Sequence, residues 1–200
     1  MEDHNLILKT ITEENFFKYG NLFTDYENEK VILEKWPAHP DGFRSIEDGV
    51  GGGETKGHFL IGWKDGQLKA KNTAVKHGDY EAYCCLDQEE RSIEILEEIN
   101  YHACGSQMFF CKNKSMILVV AKIEMDDEIR YPDDVHVTDF EAFMVPPGVG
   151  VHFRSYIWHC PPIILPEVKS ALIMTKQSKV HSKVYYYPRV EDKKRLKVLF

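Results

Sequence analysis

The pattern of apolar and polar positions predicts short β-strands along most of the chain. Residues 116–123 are apolar except for one lysine, which is typical of a strand that is buried on both faces. Asp65 and Gly66 separate two alternating segments and predict a hairpin turn between them. Residues 88–99 fit both a helical stripe and a strand alternation, and we favour a strand for their second half. The other predicted strands cover residues 5–9, 58–63, 67–75, 80–86, 140–145, 149–153, 168–175 and 183–187.

One short helix is expected near the start of the chain. Thr10 or Thr12 can cap it, Glu13 and Glu14 occupy its first turn, and Gly20 follows its end. Many short strands separated by turn residues are typical of a sandwich or a barrel. The pattern therefore predicts a mainly β fold, a sandwich or an antiparallel barrel, preceded by a short N-terminal helix.

Length and composition narrow this picture. With 200 residues, 43% of them hydrophobic, the chain suits a single domain, 1–200, with a full core. Residues 37–57 are rich in glycine and proline and predict a long loop. No apolar run approaches the length of a membrane span, and the first residues lack the basic and apolar regions of a signal peptide. We therefore expect a cytoplasmic protein that makes no membrane contact.

Charge and cysteine content argue against further classes of function. The formal net charge is -7, so the chain has no electrostatic footprint for nucleic acid. Its one concentrated basic stretch, residues 193–197, is interpreted as a solvated end of the chain. The 5 cysteines form an odd set without a C-x-x-C pair, which argues against a disulfide framework and a structural zinc site. We expect reduced thiols.

Candidate chemistry lies in two polar clusters within the most apolar half of the chain. The first cluster includes Asn100, His102 and Gln107, and the second includes His152 and His159. Strand-like sequence separates the clusters, and a small β-barrel can bring imidazoles from different strands into one shared mouth. We expect His102, Gln107 and at least one of the two later histidines to line the barrel interior, as a site for a small-molecule substrate.

Three groups of residues resemble a known family, the ureidoglycolate lyases, which are single-domain cupins. Residues 12–20 are similar to the family's opening helix and its Tyr-Gly end. Residues 102–109 are similar to its His-x-x-Gly-Ser-Gln-x-Phe signature, and the family's Val-Val-Ala strand follows at 119–121. Residues 142–161 contain its Ala-Phe, Gly-Val and Trp-His-x-Pro elements. The resemblance implies a cupin-type jelly-roll barrel and a lyase that acts on a small hydroxy or keto acid. Asn100 stands where the family usually has a glutamate.

The implied reaction on an α-hydroxy acid needs a base for the hydroxyl proton and an acid for the leaving nitrogen. Histidine suits both proton roles at neutral pH, so His152 and His159 are the candidates for proton transfer. Gln107 is expected to orient the substrate through its amide.

Three further residues are predicted to bind the substrate. If the strand alternation continues from His152, Arg154 faces the same side and can pair with a carboxylate; the alternative is a surface ion pair. Trp158 is expected to pack beside the substrate or the end of the barrel, or in the core. Asn100 shares a strand face with His102 and can point into the barrel.

A metal site is a weaker prediction. The cupin metal signature has two histidines and a glutamate on one hairpin and a later histidine, and here Asn100 and Gln107 replace two of these ligands. Neutral amides are poor ligands for zinc, nickel or iron. A weak divalent-metal site on His102 and a second histidine, His152 or His159, stays open, and no cofactor is certain.

Two alternative functions and a homodimer also follow from these considerations. The alternatives are a metal-dependent sugar isomerase or epimerase of the cupin class and a non-catalytic cupin that binds a small ligand. Exposed strand edges in such barrels are usually covered, often by pairing two subunits. Residues 5–9 and 185–187 are the expected dimer contacts.

Overall fold

The structure, a computed structural model, describes residues 1–33, 45–46, 53–102, 104–123, 134–179 and 182–200. Most of the predicted loop 37–57 lies outside these residues. The strands are β1 (Glu2–Thr10), β2 (Gly20–Phe23), β3 (Ser45–Ile46), β4 (Glu54–Lys64), β5 (Gln67–Asn72), β6 (Asp79–Asp87), β7 (Ser92–Ile95), β8 (Ile99–Tyr101), β9 (Gln107–Phe110), β10 (Met116–Ala121), β11 (Glu141–Val145), β12 (Gly150–Phe153), β13 (Trp158–His159), β14 (Ser170–Ser178), β15 (Ser182–Tyr186) and β16 (Lys194–Leu199). The helices are α1 (Glu13–Phe16), α2 (Pro188–Glu191) and a 3-10 turn (Val137–Asp139).

The predicted mainly β fold with a short N-terminal helix is confirmed. Thr12 caps α1 in a capping box, because its side chain accepts from the Asn15 backbone N–H while the Asn15 side chain accepts from the Thr12 N–H. β2 begins at Gly20, where an added Cβ would lie 1.8 Å from the His152 carbonyl oxygen. Only glycine therefore allows β2 to approach β12 this closely.

The strands form one sheet in the order β2-β12-β9-β14-β4-β5-β6-β7-β16-β1-β11-β10-β13-β8-β15-β3. Neighbouring strands are antiparallel except for β1, which runs parallel to both β16 and β11. The sheet curls over itself, since Phe153 on β12 stacks on His159 on β13, with ring centroids 5.0 Å apart, although eleven positions separate these strands in the sheet order. Within the described residues the two end strands, β2 and β3, do not pair with each other, so the barrel is open there.

Apolar side chains from both halves of the curled sheet fill its interior. All residues of β10 are buried, as expected for a central strand. Phe109 contacts Phe59 and Phe153 at right-angled geometry, and Phe16 of the helix reaches Phe143 on β11. The ambiguous segment 88–99 contributes β7 and the start of β8, in agreement with the strand favoured for its second half.

The interpretation of residues 193–197 as a solvated end is wrong. Residues 194–197 begin β16, which lies between β1 and β7 and buries Leu196 and Val198; Lys193 precedes the strand and is exposed. Lys197 is also buried, because Asp3, 2.9 Å away, and Glu90 neutralise its charge. Local charge density gave no sign of these two partners, which are distant in sequence.

The segments expected at a dimer interface are already paired within the chain. β1 has β16 and β11 as neighbours, and β15 has β8 and β3. The edge-covering argument for a homodimer therefore does not apply to these strands.

Candidate functional site

The curled sheet encloses a small polar pocket with a cavity volume of about 10 Å³, which is room for a single water molecule. Side chains of its wall must therefore move before a larger molecule can enter. Its polar lining consists of Asn72, Asn100, His102, Gln107 and His159. Phe59, Tyr80, Phe109 and Pro161 complete the wall. Among the described residues that line it there is no Asp or Glu side chain, so the pocket carries no fixed negative charge.

Strands from opposite halves of the sheet supply these groups. His159 on β13 pairs in register with Asn100 on β8, and His102 follows the end of β8. Gln107 begins β9 in the other half, and Asn72 ends β5. The two polar clusters of the sequence meet here because the sheet folds β9 onto β13. The expectation that His102, Gln107 and His159 line the interior agrees with this placement.

His159 is held by two hydrogen bonds and by ring contacts with Phe153, His102 and Phe109. Its Nδ1 lies 2.8 Å from the Ile157 carbonyl oxygen, and its Nε2 lies 2.9 Å from Oε1 of Gln107. One ring face stacks on Phe153 with an interplanar angle of 10°. The ring of His102 meets it edge to face, with centroids 5.2 Å apart. The two imidazoles therefore share one pocket in fixed mutual geometry.

A row of side-chain amides lies behind His159. The Gln107 amide nitrogen donates to Oε1 of Gln177 at 3.1 Å, and the Asn72 amide nitrogen donates to the same oxygen at 3.3 Å. The backbone N–H of Ala74 donates to Oδ1 of Asn72 at 2.9 Å. Asn72 and Gln177 were missed from the sequence, since nothing local marks an amide on a strand as part of a site.

His152 lies on the opposite face of the wall from His159. Its neighbour Phe153 points into the barrel, and alternation along β12 turns His152 outwards. There its Nδ1 is 2.5 Å from Glu29 and its Nε2 is 2.6 Å from the Ser106 hydroxyl. The structure therefore does not bring His152 into the pocket, and its predicted role in proton transfer receives no support from the geometry.

Ser106, His152 and Glu29 have the connectivity of a hydrolytic triad, but Ser106 is covered. Its hydroxyl also accepts the Ile32 backbone N–H at 2.8 Å, and the residue is 2% exposed. These bonds hold residues 26–33, which we name the covering segment, against the outer face of β9 and β12. Sequence analysis missed Glu29 and Ser106, which act together only through this long-range packing.

A buried lysine also holds the covering segment. Lys176 on β14 donates to the backbone carbonyls of Tyr26 at 2.5 Å, Glu29 at 2.8 Å and Glu27 at 3.3 Å. Its ammonium group lies 4.4 Å from the centre of the Tyr26 ring. Burial lowers the pKa of Lys176. The three carbonyls and the ring replace the water that this cation loses.

The other predicted substrate-binding residues are divided between the inside and the outside of the barrel. Asn100 lines the pocket, whereas Trp158 packs in the core against Tyr101, with ring centroids 4.7 Å apart. Arg154 is exposed, and its guanidinium lies 3.5 Å from the Lys18 carbonyl oxygen. Arg154 does share the outward direction of His152, as alternation predicted, but that face lies away from the pocket.

The structure does not bring the predicted metal ligands His102 and His152 together. His102 faces the pocket while His152 faces the covering segment, so one ion cannot bind both. The alternative second histidine, His159, shares the pocket with His102, but both of its ring nitrogens already have hydrogen-bond partners. Within the part of the chain that the structure describes, no group of three or more His, Cys, Asp and Glu side chains is placed to hold a metal.

The cysteines are all free thiols, and four of them are buried. Burial raises the pKa of Cys84 and raises that of Cys160 to about 12, so both stay protonated at neutral pH. Among the described residues, no helix has the length and apolar character that crossing a membrane requires.

The curled β-sheet and its enclosed polar pocket define a mainly β protein with an open barrel. The sequence profile of the ureidoglycolate lyases matches residues 3–189, and the chain therefore belongs to the ureidoglycolate lyase family. No curated protein matches the chain significantly. Among solved structures, the crystal structure of FeII HppE is similar at 13% sequence identity and a TM-score of 0.29, over 68% of this chain and 65% of that one.

Proposed function

We propose that the protein is a lyase that acts on a small hydroxy acid of the ureidoglycolate type in the interior pocket. The observation that carries this proposal is the lining of the pocket, where two imidazoles and three amides meet without a carboxylate. Such a lining suits an anionic substrate that also has amide groups, because amides offer both donors and acceptors. Family membership supports the same class of reaction.

Ureidoglycolate cleavage needs two proton movements. A base removes the hydroxyl proton as that oxygen becomes a carbonyl, and the bond from the same carbon to the ureido nitrogen breaks. The electron pair goes to the nitrogen, which takes up a proton, so that urea and a carbonyl acid leave. His102 is the imidazole that we assign to this proton transfer, because it lines the pocket and histidine can act in both directions near neutral pH.

The amides have the complementary role of binding. Asn100 lines the pocket from β8 and can contact the ureido group, whereas the Asn72 amide is already bonded to Ala74 and Gln177. Gln107 is already bonded to His159 and Gln177, and it acts on the substrate chiefly by holding the pocket wall in place.

The test is turnover of ureidoglycolate by the purified protein, with urea and glyoxylate measured separately. We expect His102→Ala to lower kcat by about 10²–10⁴-fold, the usual contribution of a general acid or base. His58→Ala is the matched control, because His58 is an exposed histidine on β4 next to the pocket residue Phe59. Full turnover by His102→Ala would refute the assignment. Saturable binding of hydroxy acids without any turnover by the wild type would favour the ligand-binding alternative.

A further inference from the structure

The hydrogen bonds behind the pocket form a chain with a backbone group at each end, and these ends set its direction. At one end the Ala74 N–H can only donate, so the Asn72 atom that faces it must be the oxygen. At the other end the Ile157 carbonyl can only accept, so Nδ1 of His159 must carry a proton. A side-chain amide or imidazole between these ends can flip by about 180° and keep the same outline, so its own shape does not show where its donor and acceptor atoms lie. The two backbone groups at the ends therefore decide the orientation of each side chain between them.

The direction can be followed from Ala74 to His159. Because the Asn72 oxygen faces Ala74, the Asn72 NH2 group faces Gln177, and Oε1 of Gln177 accepts the hydrogen bond from it. The same oxygen faces Gln107, which must then present its own NH2 group there. Gln107 has only Oε1 left for His159, and an acceptor opposite Nε2 requires a proton on Nε2.

We propose that His159 is held doubly protonated, as an imidazolium cation, by the Asn72–Gln177–Gln107 row of amides, and that this cation is the counter-charge for the substrate carboxylate. Asn72 and Gln177 are then positioning residues, which act on the substrate through His159. The carboxylate part of this proposal rests on the proposed function, whereas the protonation part depends only on the network.

The surroundings of His159 suit a cation. If His159 were neutral at Nε2, its lone pair would face the Gln107 oxygen, so two acceptors would oppose each other. If all three amides were flipped to avoid this, the Asn72 NH2 group would face the Ala74 N–H, so two donors would oppose each other. Burying a cation is unfavourable, but each ring N–H of His159 has a carbonyl oxygen as its acceptor, Ile157 for Nδ1 and the Gln107 side chain for Nε2. The ring also stacks on Phe153, which favours a cation. The titratable side chains that share the described pocket wall are His102 and Tyr80, and the positive charge of His159 disfavours a second charge on His102.

Because both of its N–H groups are engaged, His159 contributes charge rather than a mobile proton. This assigns different roles to the two imidazoles, with His159 as a fixed positive charge and His102 as the group that exchanges protons. A substrate that carries a carboxylate gains from this charge, and a neutral analogue of the same shape does not.

The protonation state can be measured directly by two-bond ¹H–¹⁵N correlation spectra of protein labelled at histidine, with the signals assigned through His159→Asn. The spectra should be recorded at about pH 8, where an unperturbed imidazole with a pKa of about 6.5 is neutral. We expect both ring nitrogens of His159 to show protonated shifts. One protonated and one bare nitrogen would overturn the assignment, without reference to any variant or activity.

Variants at Gln177 test the row of amides. Gln177→Met removes the oxygen that accepts from the Gln107 NH2 group, so the Gln107 amide can flip and present its NH2 group to Nε2 of His159. His159 should then show one protonated and one bare ring nitrogen at the same pH. Gln177→Glu keeps an acceptor toward Asn72 and Gln107, and it should retain both protons. Thr175→Val is the matched control. The Thr175 hydroxyl accepts from the same Gln107 NH2 group at 3.4 Å, but a hydroxyl can donate as well as accept and so does not set the orientation of that amide. If folded Gln177→Met still shows both ring nitrogens of His159 protonated, the positioning role of Gln177 is refuted. If that variant does not fold, a neutral His159 ring in Gln177→Glu refutes the same role.

Glycolate and its neutral amide, glycolamide, test the ligand part. We expect glycolate to shift the His159 signals and to bind at least about tenfold more tightly than glycolamide. Equal binding with a doubly protonated His159 would overturn the carboxylate assignment and leave the protonation intact. Conversely, failure of ureidoglycolate turnover with the predicted spectra would remove the proposed function alone.

Discussion

Replacing Glu141 with Gln should destabilise the protein in a pH-dependent way. On β11, the Glu141 carboxylate accepts a hydrogen bond from Nζ of Lys9, on β1, at 2.6 Å, and Nζ of Lys18 lies 2.9 Å from it. The Tyr19 hydroxyl also donates to this carboxylate. The carboxylate therefore ties the N-terminal strand and the end of α1 to the sheet. The amide keeps the shape of the side chain and removes its charge.

The size of the effect follows from the pKa of Glu141. Burial raises this pKa, but the bonds from Lys9, Tyr19 and Lys18 outweigh it and lower the pKa from 4.5 to about 2. That difference corresponds to about 3 kcal/mol for a fully shielded carboxylate. The Glu141 side chain is 25% exposed and the two lysines are nearly half exposed, so solvent screening reduces the effect. We expect Glu141→Gln to lower the free energy of unfolding by about 1–2 kcal/mol at neutral pH.

The sign of the pH dependence is set by the lowered pKa. The unfolded chain binds the proton first as the pH falls, so the stabilisation is complete above about pH 4.5 and is lost toward about pH 2. Urea unfolding of both proteins across this range should show the difference shrinking toward zero. Glu167→Gln, at an exposed glutamate, is the control and should show little change at any pH. A difference that is constant with pH, or a variant as stable as the wild type at neutral pH, would refute the reasoning.

Three further outcomes are expected. Lys176→Met should lower the free energy of unfolding, measured in urea, by about 2–4 kcal/mol, because three carbonyls of the covering segment lose the ammonium group that they bind. Lys56→Met, at an exposed lysine, is the control, and a loss of stability no larger than in this control would contradict the prediction. Gly20→Ala should lower the free energy of unfolding by about 3 kcal/mol or more, measured by thermal unfolding, since the added Cβ would lie 1.8 Å from the His152 carbonyl oxygen. Gly62→Ala should be tolerated, because its Cβ would lie 3.7 Å from the Lys169 carbonyl oxygen. We also propose a homodimer, through the open edge at the end strand β2 rather than through residues 5–9 and 185–187, which are paired within the chain. Light scattering at micromolar concentration should give the mass of two chains, and the mass of one chain would rule the dimer out.

The sequence by itself determined the elements whose signals are local. The strand at β10 followed from an unbroken apolar run, and α1 from a threonine cap at Thr10 or Thr12 followed by two glutamates. The two polar clusters around His102 and His159 were also visible, because polar residues grouped inside apolar, strand-like sequence are a local pattern. These features depend on neighbours along the chain, and they needed no knowledge of the fold.

Only the tertiary structure decided which face of each strand the pocket occupies. Alternation places His152 opposite Phe153, but it does not say which of the two faces is inside; the packing of Phe153 on His159 settles that. The partners of Lys197 and the amides behind Gln107 were equally invisible, since each comes from a strand distant in sequence. A polar side chain on a strand has the same local pattern whether it meets solvent or a buried partner, and only the curl of the sheet supplies that partner.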